Sequence, residues 1–267
     1  MGQKSYDVVA LGELLIDFTE NGISEQGNPL MEANPGGAPC NVLAMLKKFG
    51  RNGAFIGKVG DDMFGRRLRG ILNELGINSD NLILDKEIPT TLAFVHTQDN
   101  GDREFSFYRK PGADMMLREE EISRELIASA RLFHFGTLSM TEQEIAKATK
   151  KAADIAKAEG CLITFDPNVR LPLWKQQSDI IDAMEYGMSQ CDVLKISDNE
   201  IEFFTGTSDY YAGVKQIKAK YPNIKLVLAT LGTQGSFACY KDITVKRDAF
   251  LQKGTIETTG AGDTFFA

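Results

Sequence analysis

Histidine and cysteine are scarce here, at 2 and 4 among 267 residues. The cysteines (Cys40, Cys161, Cys191, Cys239) lie scattered, with no C-x-x-C and no histidine pair beside them. Buried reduced thiols are therefore a better reading than a zinc site or a disulfide framework. His96 and His134 sit far apart in strand-like settings, where a packed or surface histidine is commoner than a catalytic one. No stretch approaches the ~18 apolar residues of a membrane span. The opening Met1-Gly2-Gln3-Lys4-Ser5-Tyr6 lacks the apolar run of a signal peptide, and Tyr6 stands where myristoylation needs Ser or Thr. The 37 acidic residues outnumber the 30 basic ones, and the net charge of −7 argues against nucleic acid or an anionic membrane as partner. Phosphate stays open, because a local set of N–H donors outweighs net charge at contact distance. With 43% hydrophobic and 25% charged residues, the chain has the composition of a globular protein with one large core. These features together predict a cytoplasmic globular protein.

What is present is an alternation. Residues 7–11, 54–59, 131–135, 161–165, 192–196 and 226–231 each read as a buried strand. Between them, 63–75, 141–159, 179–189 and 210–221 have the periodicity of amphipathic helices. Repeated strand-then-helix predicts an α/β fold, a mainly parallel sheet with helices on both faces. One region departs from this. Residues 91–97 and 103–108 flank Gln98-Asp99-Asn100-Gly101-Asp102, whose Asn-Gly is a strong hairpin signal. With the β-like segments 14–20 and 29–33, this hairpin predicts a small sheet off the main one, a lid drawn from about 14–34 and 90–110. There is no internal repeat, low-complexity tract or flexible linker, so residues 1–267 read as a single α/β domain with a β lid.

The most informative residues come last: Glu257-Thr258-Thr259-Gly260-Ala261-Gly262-Asp263-Thr264-Phe265-Phe266. Glycines just before a helix start let backbone N–H groups converge on an anion, with the helix dipole favouring negative charge there. A carboxylate in that anion hole is a poor phosphate ligand but a sensible general base for a hydroxyl that attacks the phosphate. On spacing alone, a first-turn helix aspartate is the better reading of Asp263. Other phosphate motifs fail: Gly53-Ala54-Phe55-Ile56-Gly57-Lys58-Val59 is one residue short of a P-loop and ends in Val, and no complete G-x-G-x-x-G, G-x-S-x-G or H-E-x-x-H occurs.

Thr259-Gly260-Ala261-Gly262-Asp263-Thr264-Phe265 resembles the C-terminal signature of the ribokinase-like (PfkB) sugar kinases, and Pro35-Gly36-Gly37-Ala38-Pro39-Cys40-Asn41-Val42 the N-terminal one. Between them lie Gly57-Lys58-Val59-Gly60-Asp61-Asp62, Phe165-Asp166-Pro167-Asn168-Val169-Arg170 and Thr230-Leu231-Gly232-Thr233-Gln234-Gly235, all in the family's order. Within the family, the Gly-Gly-Ala-Pro-x-Asn run and Tyr108-Arg109-Lys110-Pro111-Gly112-Ala113-Asp114-Met115 are most similar to fructokinases.

The resemblance implies an ATP-dependent sugar kinase making fructose 6-phosphate, with Asp263 as base and the amides of Gly260, Ala261 and Gly262 around the phosphoryl group. Kinases for 2-keto-3-deoxygluconate or a riboside are alternatives, as is a non-catalytic sugar-binding protein on the same scaffold. Asp17, Gly36, Gly37, Asn41 and Arg109 would meet the sugar, and Asn168 and Arg170 the substrate side of the carboxyl edge. The alternative for Asp17 is a surface strand-end carboxylate, and on spacing alone Gly36-Gly37 reads better as a turn before a helix over 41–49. For Arg109 a solvated lid charge is an equal reading, and for Arg170 a salt bridge to Asp166 or another acid. Thr230, Gly232 and Gly235 resemble nucleotide contacts. Glu200 would orient magnesium-bound water, although Ser197 replaces the family's asparagine in Ser197-Asp198-Asn199-Glu200. Glu257 and Thr259 resemble a monovalent-cation site, with Glu257 in place of the usual aspartate, so potassium joins ATP and Mg²⁺ as an implied cofactor. The implied partners are a small sugar and ATP, with a homodimer left open. Because the chain stops four residues after Asp263, the catalytic unit reads as incomplete, with residues from about Thr258 onward poorly anchored or non-helical.

Overall fold

The chain opens with β1 (Tyr6–Leu11), β2 (Leu15–Ile23), β3 (Pro29–Gly36), α1 (Ala38–Lys48), β4 (Gly53–Gly60), α2 (Met63–Glu74) and β5 (Asn78–Asp85). A hairpin of β6 (Leu92–Thr97) and β7 (Arg103–Tyr108) leads to α3 (Arg124–Ala128), β8 (Ala130–Gly136), α4 (Gln143–Ala158) and β9 (Leu162–Asp166). Then come α5 (Gln177–Gln190), β10 (Val193–Ser197), α6 (Asp198–Thr205), α7 (Tyr210–Lys220), β11 (Leu226–Thr230), β12 (Ser236–Tyr240), β13 (Ile243–Arg247) and α8 (Ala261–Phe266). This computed structural model describes residues 4–97, 103–250 and 260–267.

Alternation along the strands builds the layers. On β1, Val8 and Ala10 enter one apolar core while Val9 and Leu11 enter another. A strand buried on both faces belongs in the middle of a parallel sheet. The sheet runs β13-β12-β11-β10-β9-β8-β1-β4-β5, parallel from β5 to β11 and antiparallel only at β12 and β13. Leu43 of α1 and Leu68 and Leu72 of α2 cover the Val8 side; Ile145 of α4, Met184 of α5 and Ile217 of α7 cover the Val9 side. The α/β class expected from the sequence is the one that forms.

The strand order positions the site. From β1 the chain builds outward through β4 to β5, whereas β8, β9, β10 and β11 extend from the other flank of β1. Connections leaving the carboxyl ends of β1 and β8 therefore diverge and open a crevice, where ligands of parallel sheets collect. A second sheet, β3-β2-β6-β7, stands off the main one. Its Phe18 ring stacks on Phe94 at 4.9 Å and meets Phe64 of α2 edge-on at 5.7 Å. β6 and β7 pair antiparallel from Leu92↔Tyr108 to Thr97↔Arg103, while the Asn100-Gly101 turn lies outside the described residues.

The sequence reading missed β5, β12, β13, α3 and α6. β5 opens on Asn78-Ser79-Asp80-Asn81, and every residue of β13 is exposed, because edge strands need no apolar alternation on a solvated face. The expectation that the last residues would be non-helical is corrected: Ala261–Phe266 form α8, which packs on α1. So short a helix is held by its tertiary partners rather than by its own length. Among the described residues no helix is long and apolar enough to cross a membrane.

Candidate active site

On β8, β9 and β10 the residues Phe133, Phe135, Ile163, Phe165, Leu194 and Ile196 face one core. Their alternates His134, Thr164, Asp166 and Lys195 therefore face the opposite side, and all four are buried. α8 docks there, with the Phe266 ring 5.4 Å from that of His134. Burial pushes the His134 imidazole down to about 4, so it is neutral, as a packed histidine should be. Lys195 Nζ lies 2.9 Å from Oδ2 and 3.1 Å from Oδ1 of Asp166. Its ammonium also packs 3.0 Å from the point where a Cβ on Gly262 would stand. Burial opposes the charge on Lys195, but Asp166, Glu200 and Asp263 together outweigh it and hold the ammonium above its usual range. Lys195 was missed from sequence, although a lone charge in the five-residue strand Val193–Ser197 is a readable signal.

Gly260 caps α8 in the left-handed region, with φ +75°, and no side chain caps the helix. The first-turn amides of a helix lack intrahelical partners, so this end is suited to an anion. Asp263 is buried in that turn, and its Oδ2 accepts a hydrogen bond from Asn41 Nδ2 at 2.8 Å. Burial raises the Asp263 carboxyl above its usual range, against the pull of Asn41, Lys195 and Arg170. A raised carboxylate at the mouth of an amide cluster has the chemistry of a proton acceptor.

The Gly36-Gly37 pair shapes the other wall. A Cβ on Gly36 would fall 2.1 Å from Asp17 Oδ2, so only glycine lets the end of β3 press against that carboxylate. Gly37, at φ +119°, would place a Cβ 2.4 Å from the Glu13 carbonyl oxygen. The turn delivers Ala38 N–H to Glu13 Oε1 at 2.9 Å. Glu13, unmarked by the sequence reading, is buried, and that burial pushes its carboxyl up to about 7.

These groups surround a cavity of about 210 Å³ lined by Glu13, Asp17, Gly37, Asn41, Asn168, Arg170, Lys195, Gly260, Gly262 and Asp263, among others. It is smaller than the ~300–1,000 Å³ of drug-sized sites, so it suits a small polar molecule. Asp17, Asn41 and Gly260 also border a groove of about 660 Å³ that runs along β2, β3 and α1. Asn168 holds φ +44°, a conformation that non-glycine residues adopt mainly at constrained sites.

Other expectations land elsewhere. Arg109 is neither a solvated lid charge nor a group open to the cavity. It is 4% exposed, with its guanidinium committed to Asp114, Thr141 and the Leu138 carbonyl. The alternative salt bridge from Arg170 to Asp166 is corrected as well, because Asp166 pairs with Lys195 while Arg170 borders the cavity. Thr230 ends β11, Gly232 opens a short 3-10 turn and Gly235 follows it before β12, away from this cavity. Ser197 caps α6, accepting from Glu200 N–H, while Glu200 Oε2 takes Ser197 N–H and Oγ–H and Oε1 takes Val169 N–H. Gly36 and Ala261 flank the cavity residues in sequence. Glu257 and Thr259 lie outside the described residues.

A crevice at the carboxyl edge of a parallel sheet, holding a raised carboxylate at a helix N-terminus between two cations, is the layout of a phosphotransferase acting on a hydroxyl group. The chain belongs to the pfkB family of carbohydrate kinases, whose description matches residues 5–267. It is 42% identical over 260 residues to fructokinase-2 of Solanum habrochaites, covering 97% of this chain and 79% of that protein. A Xylella fastidiosa fructokinase solved with bound ATP superposes with a TM-score of 0.86 at 29% identity, covering 98% of this chain and 79% of that one. A Vibrio cholerae fructokinase double mutant, solved with fructose, ADP and potassium ion, superposes with a TM-score of 0.87 at 28% identity, covering 100% and 83%. The protein is thus a sugar kinase with a ribokinase-like fold.

Proposed function

We propose that this kinase transfers the γ-phosphoryl group of ATP to the 6-hydroxyl of D-fructose, with Asp263 as general base. The observation that carries the reading is Asp263 itself, buried in the first turn of α8 and hydrogen-bonded to Asn41 in a cavity it shares with Asp17. The fructokinase relatives supply the choice of sugar.

In this reading Asp17 and Asn41 hold sugar hydroxyls and orient O6 toward Asp263. Asp263 takes the O6 proton as the O6–Pγ bond forms and the Pγ–O bond to the β-phosphate breaks, releasing ADP. The amides of Gly260, Ala261 and Gly262 receive the charge that spreads over the phosphoryl oxygens, and Arg170 adds a fixed fork of donors. Thr230, Gly232 and Gly235 serve the nucleotide. The β3-β2-β6-β7 sheet acts as a lid that excludes water.

A carboxylate offers about four acceptor sites, and Glu200 uses three on Ser197 N–H, Ser197 Oγ–H and Val169 N–H. One site is left, which fits a single water on Mg²⁺ and not direct coordination through several oxygens. Bound magnesium would neutralise phosphate charge. The potassium suggestion rests on Glu257 and Thr259 and on the Vibrio cholerae relative.

Coupled assays of ADP release with D-fructose, D-ribose, 2-keto-3-deoxygluconate and adenosine test the reading. Fructose should give the highest kcat/KM, with phosphate on O6 by NMR of the product. A clear preference for another acceptor, or phosphate at another position, refutes it.

A further inference from the structure

The small sheet joins the body at Thr91, just before β6, and at 109–112, just after β7, and one buried network pins both roots. Arg109 Nε and Nη2 lie 2.8 and 2.7 Å from Oδ2 of Asp114. The other Asp114 oxygen accepts the Thr91 hydroxyl. The rest of the guanidinium reaches the main body: Nη1 donates to Thr141 Oγ1 at 2.9 Å and Nη2 to the Leu138 carbonyl at 3.0 Å. Thr91, Arg109 and Asp114 are each 4% exposed or less. Two backbone bonds complete the junction, Ala113 N–H to Pro89 O at 2.9 Å and Ile16 N–H to Thr91 O at 3.2 Å.

Two ends of this network reach the 210 Å³ cavity. Ile16 precedes Asp17 on β2, and Leu138, in the turn after β8, forms part of the same cavity wall. A planar fork holds a carboxylate, a hydroxyl and a carbonyl from three nitrogens in fixed directions, whereas an ammonium has three donors on a single nitrogen and cannot span the same separated acceptors. A buried ion pair is weak evidence for net stability compared with apolar packing. What this one supplies is a fixed spacing between a β2 wall and a β8 wall.

We propose that Arg109 is a positioning residue for the acceptor sugar: through Asp114 and Thr91 it sets β2 with Asp17, and through Leu138 it sets the facing segment after β8. It acts without touching the sugar. This inference rests on the cavity being the acceptor site.

Wild type, Arg109→Lys and the double variant Arg109→Met/Asp114→Asn, which leaves no lone buried charge, should be compared by kinetics with each substrate varied and by calorimetric titration of D-fructose. Misplacing the cavity wall should raise KM and Kd for fructose about tenfold in the double variant and about threefold in Arg109→Lys, with KM for ATP within about twofold. Urea midpoints monitor folding. Unchanged fructose constants, or equal rises in both KM values alongside lost stability, overturn the proposal and leave Arg109 a structural residue only. The fructose reading fails by a different result: wild type turning over another sugar of the panel in place of fructose. The same variants titrated with that sugar then decide the role of Arg109.

Discussion

The side-chain amide of Asn41 donates to Oδ2 of Asp263 at 2.8 Å, joining residues 222 positions apart. The bond brings the first turn of α1 against the first turn of α8 and orients the carboxylate toward the cavity that both residues line. An aspartate held in this way is positioned before any substrate arrives, which is what proton abstraction from a bound hydroxyl needs.

Asp263→Asn should therefore abolish most turnover while leaving binding largely intact. The expected loss in kcat is ~10²–10⁴, the usual cost of losing a general base. Calorimetric affinities for fructose and ATP should stay near those of wild type. A purified variant keeping more than about a tenth of kcat rules out the base assignment.

With Asp263 as the proposed base, turnover should fall as pH drops through the Asp263 pKa. Burial sets that value above the ordinary 3.8, and the Asn41 hydrogen bond pulls against the rise. In Asn41→Ala the pull is gone, and the acid limb of the kcat profile should move to higher pH. An unmoved or lowered limb would show that another group controls it.

Glu13 predicts a pH effect on folding. Its folded pKa of about 7 exceeds the ordinary 4.5, so its contribution to stability is complete below 4.5 and is lost as pH rises through 7. At ~1.4 kcal/mol per unit this amounts to about 3 kcal/mol at most. Glu13→Gln keeps an oxygen for Ala38 N–H but cannot titrate. Urea midpoints measured between pH 4.5 and 7.5 should slope less in the variant, and matching slopes would remove Glu13 as the cause.

Lys195→Met leaves Asp166 buried without its partner. Burial already pushes that carboxyl up to about 7, so it takes a proton near neutral pH, and the cost in urea unfolding should grow with pH toward the ~3–5 kcal/mol of an unpaired buried charge. Adding Asp166→Asn removes the lone charge and should recover most of that loss. If the single variant is as stable as wild type, the pair does not hold the polar face of the sheet together.

Local pattern was enough for the α/β class, since buried runs such as 54–59 and 226–231 alternating with helical periods allow little except a parallel sheet covered on both faces. It also marked Gly260-Ala261-Gly262-Asp263 as an anion-binding helix start and Gly36-Gly37 as a turn. These are local properties, set by backbone preference and side-chain period within a few residues. Partnerships were decided only by tertiary structure. Period two along β10 says that Lys195 faces away from Leu194 and Ile196, but the order β10-β9-β8 puts Asp166 beside it and α8 above it. From sequence Arg109 reads equally as a sugar contact or a solvated lid charge, because local pattern places it only at the exit of the hairpin. Its partners Asp114, Leu138 and Thr141, with Thr91 on the other oxygen of Asp114, come together only when the chain is folded. The last helix shows the same thing: Ala261–Phe266 is too short to hold itself, and it forms because Asn41 and His134 meet it in space.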